Sequence, residues 1–123
     1  FISKLGNDDY GKLAIDKLKK DNIDISNVII SNKYKTGVAG IHVDKNTGKN
    51  AITVVRGAPS TLTTKEDNIE AIKKSKIFLT QLEVPTEVTL HCLKAAKNFG
   101  LTNILNPAPA CELSQDFFKL IDV

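Results

Sequence analysis

Ile77-Phe78-Leu79-Thr80-Gln81-Leu82-Glu83, followed by Val84-Pro85-Thr86-Glu87, decides how this chain is read. A β-rich apolar run ends on polar side chains and a helix start follows at once, because Pro suits the first helical turn and Glu87 favours its positive end. From Pro85 the stripe Val88, Cys92, Ala95 and Phe99 predicts one buried helical face over residues 85–99, and Gly100 ends the helix. Residues 103–105 form the next predicted strand, which also runs into polar punctuation, Asn106-Pro107-Ala108-Pro109-Ala110. Strand, helix, strand is a βαβ unit, so the two strands are parallel. In open α/β sheets small ligands bind at the carboxyl ends of the strands, which is where Gln81, Glu83 and Asn106 fall.

Upstream, a helix is predicted over 65–74, and before it three short β-rich runs at 28–30, 38–43 and 51–55. The last two are joined by Asp44-Lys45-Asn46-Thr47-Gly48-Lys49, a hairpin signal with Gly near its tip. On that hairpin Ala39, Ile41 and Val43 share one strand face, and Ile52 and Val54 share a face of the partner strand. Such an apolar sheet either covers a ligand or packs on the core, and periodicity alone leaves both open. Nearer the start, residues 1–5 read as the end of a strand and Gly6-Asn7-Asp8 turns it into a helix. Tyr10, Leu13, Ala14 and Leu18 give that helix an apolar face, and it stops around Asn22. A last helix is predicted from Ser114, as N-cap, towards Ile121, with Phe117, Leu120 and Ile121 buried. The fold class is therefore α/β, a parallel sheet with flanking helices plus a small β hairpin.

The 123 residues, 41% hydrophobic and 25% charged, allow one ordinary globular domain with a real core. Met is absent, so a chain opening on Phe1 is expected to be an internal piece of a longer protein. The net charge of +3 rests on lysines, with Arg56 the single arginine, and the lysines are interspersed with acidic residues, as in Asp16-Lys17-Leu18-Lys19-Lys20-Asp21. That is a solvated surface and argues against nucleic-acid binding, which favours clustered basic residues, arginines and stacking aromatics. No apolar run approaches a membrane span, so no membrane partner is expected. Cys92 and Cys111 have neither CxxC spacing nor a His at ligand spacing, so no metal site or disulfide framework is predicted, and both are expected as buried reduced thiols. The lack of an Asn-x-Ser/Thr sequon favours a cytoplasmic location.

Glu83 has two readings. A carboxylate just before Pro85 can simply face a helix N-terminus, or it can accept hydrogen bonds from a ligand's hydroxyls. Asn106 is likewise a turn former or a candidate pocket residue. Their common position at one end of adjacent strands favours the ligand in both cases. His42, on the opposite strand face from Ile41, and His91, isolated on a helix, read as surface or packing residues. Gly37-Val38-Ala39-Gly40 is no phosphate loop, since neither G-x-G-x-x-G nor G-x-x-x-x-G-K-[ST] occurs in the chain.

Five motifs in order give a family resemblance. Leu5-Gly6-Asn7-Asp8-Asp9-Tyr10-Gly11 resembles G-x-D-x-F-G of the ribokinases, sugar kinases of the PfkB type. Thr36-Gly37-Val38-Ala39 resembles their T-G-x-A and Gly57-Ala58 their G-A-N, with Pro59 departing from the Asn. Gln81-Leu82-Glu83 and Asn106-Pro107-Ala108-Pro109-Ala110 complete the set. The resemblance covers nearly the whole chain and is closer to ribokinases than to fructokinases or adenosine kinases. It implies the central part of one incomplete ribokinase-like domain over 1–123, with 32–57 as a β lid and 64–123 as a βαβ core segment.

For the parent enzyme the resemblance implies transfer of the ATP γ-phosphoryl to D-ribose, giving D-ribose 5-phosphate in ribose catabolism, with Mg²⁺ and a monovalent cation such as K⁺. Glu83 matches the carboxylate that binds ribose hydroxyls, and Ala39, Ile41 and Val54 match lid residues on the sugar's apolar side. The lid also implies a homodimer, in the cytoplasm or, in a eukaryote, the nucleus as well. No catalytic residue is assigned within this chain. The family's D-T-x-G-A-G-D, whose last Asp is the general base, does not occur in these residues, and neither does N-x-x-E near the metal and phosphates. The segment alone is therefore expected to be inactive. Another PfkB-type sugar or nucleoside kinase, or a non-catalytic sugar-binding fragment, are the alternatives.

Overall fold

The computed structural model describes residues 1–66 and 68–123. The chain divides into two compact units, Ser3–Pro59 with Phe1, and Ser60–Val123 with Ile2.

In the first unit, β1 (Ser3–Gly6), α1 (Asp9–Lys20) and β2 (Val28–Ser31) form a βαβ turn of chain, β1 and β2 pairing in parallel from Ser3 opposite Val28 to Gly6 opposite Ser31. Asp8 is the N-cap of α1, Asp9 lies in its first turn and Lys17, Lys19 and Lys20 in its last, so the side chains complement the helix dipole at both ends. The helix closes where the sequence predicts. Asn22 takes φ of 57°, its N–H donates to Lys19 O at 3.0 Å and that of Ile23 to Leu18 O at 3.0 Å, an Asn-terminated Schellman turn.

The covered face of α1 differs from the predicted one. Tyr10 and Leu13 are 63% and 67% exposed, whereas Gly11 is buried and Ala14, Ile15 and Leu18 are half-buried. The cause is Gly11, where a Cβ would stand 2.1 Å from Gly6 O and 3.0 Å from Thr36 Oγ1. Only glycine lets the helix backbone approach the end of β1 that closely, and the approach turns Tyr10 and Leu13 outward.

The same unit carries β3 (Val38–Val43) and β4 (Asn50–Val55), an antiparallel hairpin in which every residue is exposed. It does not pack on a core, the second of the two sequence readings. At its tip Asp44 Oδ1 accepts from the N–H groups of Asn46 and Thr47, and Gly48 takes φ of 69°.

In the second unit, α2 (Ile69–Lys73), β5 (Ile77–Thr80), α3 (Thr86–Asn98), β6 (Thr102–Leu105) and α4 (Gln115–Phe118) follow in order. The predicted βαβ unit is present: β5 and β6 are parallel, with Ile77 opposite Thr102 and Thr80 opposite Leu105. Helix α2 is shorter than the predicted 65–74, whose residue 67 lies outside the described residues. Glu66 instead folds back, Oε2 accepting from the Thr63 N–H at 3.1 Å and hydroxyl at 2.9 Å, and Asn68 enters the helix with φ of 49°. These local bonds hold a turn where a helix is expected.

The seam of α3 is Val88, Thr89, Cys92, Leu93 and Ala96, with Leu93 wholly buried, a contribution of roughly 1.5–3 kcal/mol for one such side chain. Phe99, assigned to the stripe by spacing, is 42% exposed. A Schellman turn explains the change: Gly100, φ 77°, donates to Lys97 O and Leu101 donates to Ala96 O, each at 3.0 Å, so Leu101 rather than Phe99 turns inward. Cys92 is buried as expected but Cys111 is exposed, because it lies in the irregular segment between β6 and α4; among the described residues neither forms a disulfide.

Helix α4 stops at Phe118, short of Ile121, and Ser114 makes no side-chain cap bond. The chain is drawn away by Asn103, whose side chain is fully buried: Nδ2 donates to Leu120 O at 2.9 Å and to Leu93 O at 3.0 Å. Val123 then donates to Asn103 O and accepts from the Leu105 N–H, which sets it opposite Ile104 in parallel register on the edge of β6 away from β5.

Candidate functional site

The two strand ends of the βαβ unit are built by main-chain bonds. Asn106 N–H donates to Thr80 O at 2.9 Å, extending the β5–β6 ladder one step beyond the last paired residues. Leu82 N–H donates to Ala108 O at 3.0 Å, so the Gln81-Leu82-Glu83 and Asn106-Pro107-Ala108 segments are bonded to each other. Leu82 is buried and anchors the first segment, while Glu83 and Asn106 flank it and are exposed. Gln81 uses Oε1 to accept the Glu83 N–H, which fixes the Gln81–Glu83 turn ahead of α3. A carboxylate and a carboxamide thus stand at the carboxyl ends of neighbouring parallel strands, a pair able to accept from and donate to hydroxyl groups.

On the hairpin, Ala39 is opposite Val54 and Ile41 is opposite Ile52. Directly opposed residues share a face, so Ala39, Ile41 and Val54 lie on one face of the hairpin, with Ile52 beside them. Ile52 is an addition to the predicted set of site residues. Alternation along the second strand carries its signal, but the register that sets it against Ile41 depends on the tip geometry. The remaining hairpin face carries Val38, His42 and Val55.

Three of the five motifs meet at the root of the hairpin. Asp8 Oδ1 accepts from Gly11 N–H at 2.9 Å and from the Thr36 hydroxyl at 2.8 Å, and Oδ2 accepts from Thr36 N–H at 2.8 Å. Thr36 Oγ1 in turn accepts from Gly6 N–H at 2.9 Å. Bonds from Thr36 and Gly11, with Lys35 nearby, hold the Asp8 carboxyl below the ordinary aspartate range against a smaller opposing effect of burial. On the other side of the root, Ala58 N–H donates to Lys35 O at 2.7 Å, and a Cβ on Gly57 would lie 2.4 Å from Gly37 N. In the sequence these motifs stand apart, and nothing in their spacing shows that Asp8 reaches Thr36.

No group of three or more His, Cys, Asp or Glu side chains able to hold a metal ion occurs among the described residues, and no helix there is long and apolar enough to cross a membrane.

The pfkB family carbohydrate kinase model matches residues 1–123. The chain is 39% identical over 127 residues to the bifunctional ribokinase/ribose-5-phosphate isomerase A of Fructilactobacillus sanfranciscensis, covering all of this chain and 23% of that protein. It is 38% identical over 126 residues to the ribokinase of Staphylococcus aureus, again over its full length and 41% of the relative. Among solved structures, Arabidopsis thaliana ribokinase complexed with ribose and ATP superposes with a TM-score of 0.89 at 27% identity, covering 99% of this chain and 41% of that one. The chain therefore spans well under half the length of these relatives. Motif order, βαβ topology and the full-length family match agree, and the chain belongs to the pfkB family of carbohydrate kinases.

Proposed function

We propose that this chain is the sugar-binding middle of an ATP-dependent D-ribose kinase that produces D-ribose 5-phosphate. The observation that carries the reading is the similarity, along the whole chain, to ribokinases at 38–39% identity. In it Glu83 accepts hydrogen bonds from ribose hydroxyls, Asn106 is a pocket residue, and Ala39, Ile41 and Val54 line the sugar's apolar side. Exposure of the hairpin on both faces supports a covering role, because a contiguous exposed apolar face such as Ala39, Ile41, Ile52 and Val54 is the kind of surface that meets a ligand or a partner. Covering the sugar would exclude water from the reaction.

ATP, Mg²⁺ and K⁺ belong to this proposal for the parent enzyme, as does a homodimer formed through the hairpin, whose open strand edges favour pairing. Its location is cytoplasmic, or also nuclear in a eukaryote. Residues 1–123 alone are proposed to be inactive, since the family's general-base motif does not occur in them.

The test is ADP release by the complete parent enzyme with D-ribose, 2-deoxyribose, fructose and adenosine as acceptors. Highest kcat/KM for ribose supports the reading; a nucleoside preference reassigns the enzyme within the family, and binding of sugar without turnover makes the protein a non-catalytic binder. Turnover by residues 1–123 above a protein-free blank would sink the inactivity claim.

A further inference from the structure

We propose that the Asp8 carboxylate is a positioning residue that fixes the root of the β3–β4 hairpin to the β1–α1 corner. The functional consequence rests on the sugar-kinase reading above. Main-chain bonds hold the two hairpin strands to each other, but they do not set the direction in which the hairpin leaves the unit. Both of its faces are exposed, so packing does not set it either. The direction is decided where the strands enter and leave.

Asp8 stands at that place and does two jobs with one group. As N-cap it accepts from Gly11 N–H, and as anchor it takes both donors of Thr36, the residue two positions before β3. Thr36 is buried and passes the link on by accepting from Gly6 N–H at the end of β1. The departing strand is held to the same place, through Ala58 N–H to Lys35 O and the backbone contact of Gly57 with Gly37. An ionised carboxylate suits this because it is purely an acceptor facing N–H and O–H donors, and its bonds are stronger than neutral ones.

The two jobs can be separated. Asn caps helices as well as Asp does, so Asp8→Asn preserves the start of α1. Its Nδ2, however, is a donor, so it cannot accept from Thr36 N–H while Oδ1 serves Gly11. With the anchor weakened, the hairpin spends less time in its sugar-facing position, and apparent affinity falls by that fraction.

The experiment measures ribose kinetics and site-resolved hydrogen exchange on the complete parent enzyme and its Asp8→Asn, Thr36→Val and Thr36→Ser variants. We expect Asp8→Asn and Thr36→Val each to raise the ribose KM roughly tenfold with kcat within about twofold, because each removes a charge-assisted bond between Asp8 and Thr36, Thr36→Val also removing the acceptor of Gly6 N–H, and the population shifts. Exchange should quicken over residues 36–58 and stay unchanged over 69–105. Thr36→Ser, which keeps both donors, should behave as wild type, and the double variant should be no worse than the poorer single one. Unchanged exchange over 36–58, or an equal rise in both segments, overturns the proposal. If the wild-type parent fails to use ribose, the substrate reading falls and the exchange data still decide the anchor. If Asp8→Asn does not fold, the Thr36 pair decides it.

Discussion

Asp122 and Asn103 bind each other in both directions: Asp122 N–H donates to Asn103 O at 2.9 Å, and Asp122 Oδ2 accepts from Asn103 N–H at 2.8 Å. Lys97 Nζ, 2.6 Å from Oδ1, occupies the other carboxylate oxygen, so the last residues are tied to both β6 and α3. The Asn103 side chain completes the link through its bonds to Leu93 O and Leu120 O.

Asn103→Ala is expected to destabilise the second unit by about 1–3 kcal/mol, since it strips two carbonyls of their donor and leaves a space. Urea unfolding followed by circular dichroism measures this. A change below about 0.5 kcal/mol would show that water replaces the amide without loss.

Acid should weaken the fold through Asp8 and Asp122. Both carboxyls lie below the ordinary value of 3.8, Asp8 first through the Thr36 N–H and Asp122 first through the Asn103 N–H, with Lys97 assisting. A depressed native pKa means that the unfolded chain binds protons more readily. The stabilisation is complete above 3.8 and is lost as pH falls below it through the native values. Melting temperatures from pH 6 down to about 2 should show this fall, shallower in Asp122→Asn.

Gly57 and Gly40 should respond differently to alanine. Gly57 has φ of 57° and no room beside Gly37, so Gly57→Ala should cost on the order of 1–3 kcal/mol. A Cβ added at Gly40 would meet nothing within 4 Å, and Gly40→Ala should change stability by less than about 0.5 kcal/mol. Equal losses at the two sites would contradict the root geometry.

Glu83→Gln in the complete parent enzyme should lower kcat/KM for ribose at least tenfold, on the order of one charge-assisted hydrogen bond, while the melting temperature stays within about a degree because the side chain is exposed. A stability loss with normal kinetics would return Glu83 to a helix-terminus role.

Cys111 should react with a thiol reagent in the native protein and Cys92 only on unfolding, given their exposed and buried positions. Mass spectrometry of the singly labelled protein identifies the site.

The local elements were legible in the sequence because their causes are local. Alternation set the β3–β4 hairpin, Pro85 and Gly100 bracketed α3, and polar residues after two apolar runs marked the strand ends at Glu83 and Asn106. Motif order was enough to recognise the family. What the sequence alone did not determine is which side of a helix faces inward and which distant groups meet. Tyr10 and Leu13 look buried by spacing, yet Gly11 turns them to solvent by pressing the helix backbone onto Gly6. Asp8 and Thr36 are separated by 28 positions, and Asn103 and Asp122 by 19, and nothing local encodes either pairing. Capping and periodicity act within a few residues, whereas a buried polar group takes whatever partner the folded chain brings to it, so those bonds were decided only by the tertiary structure.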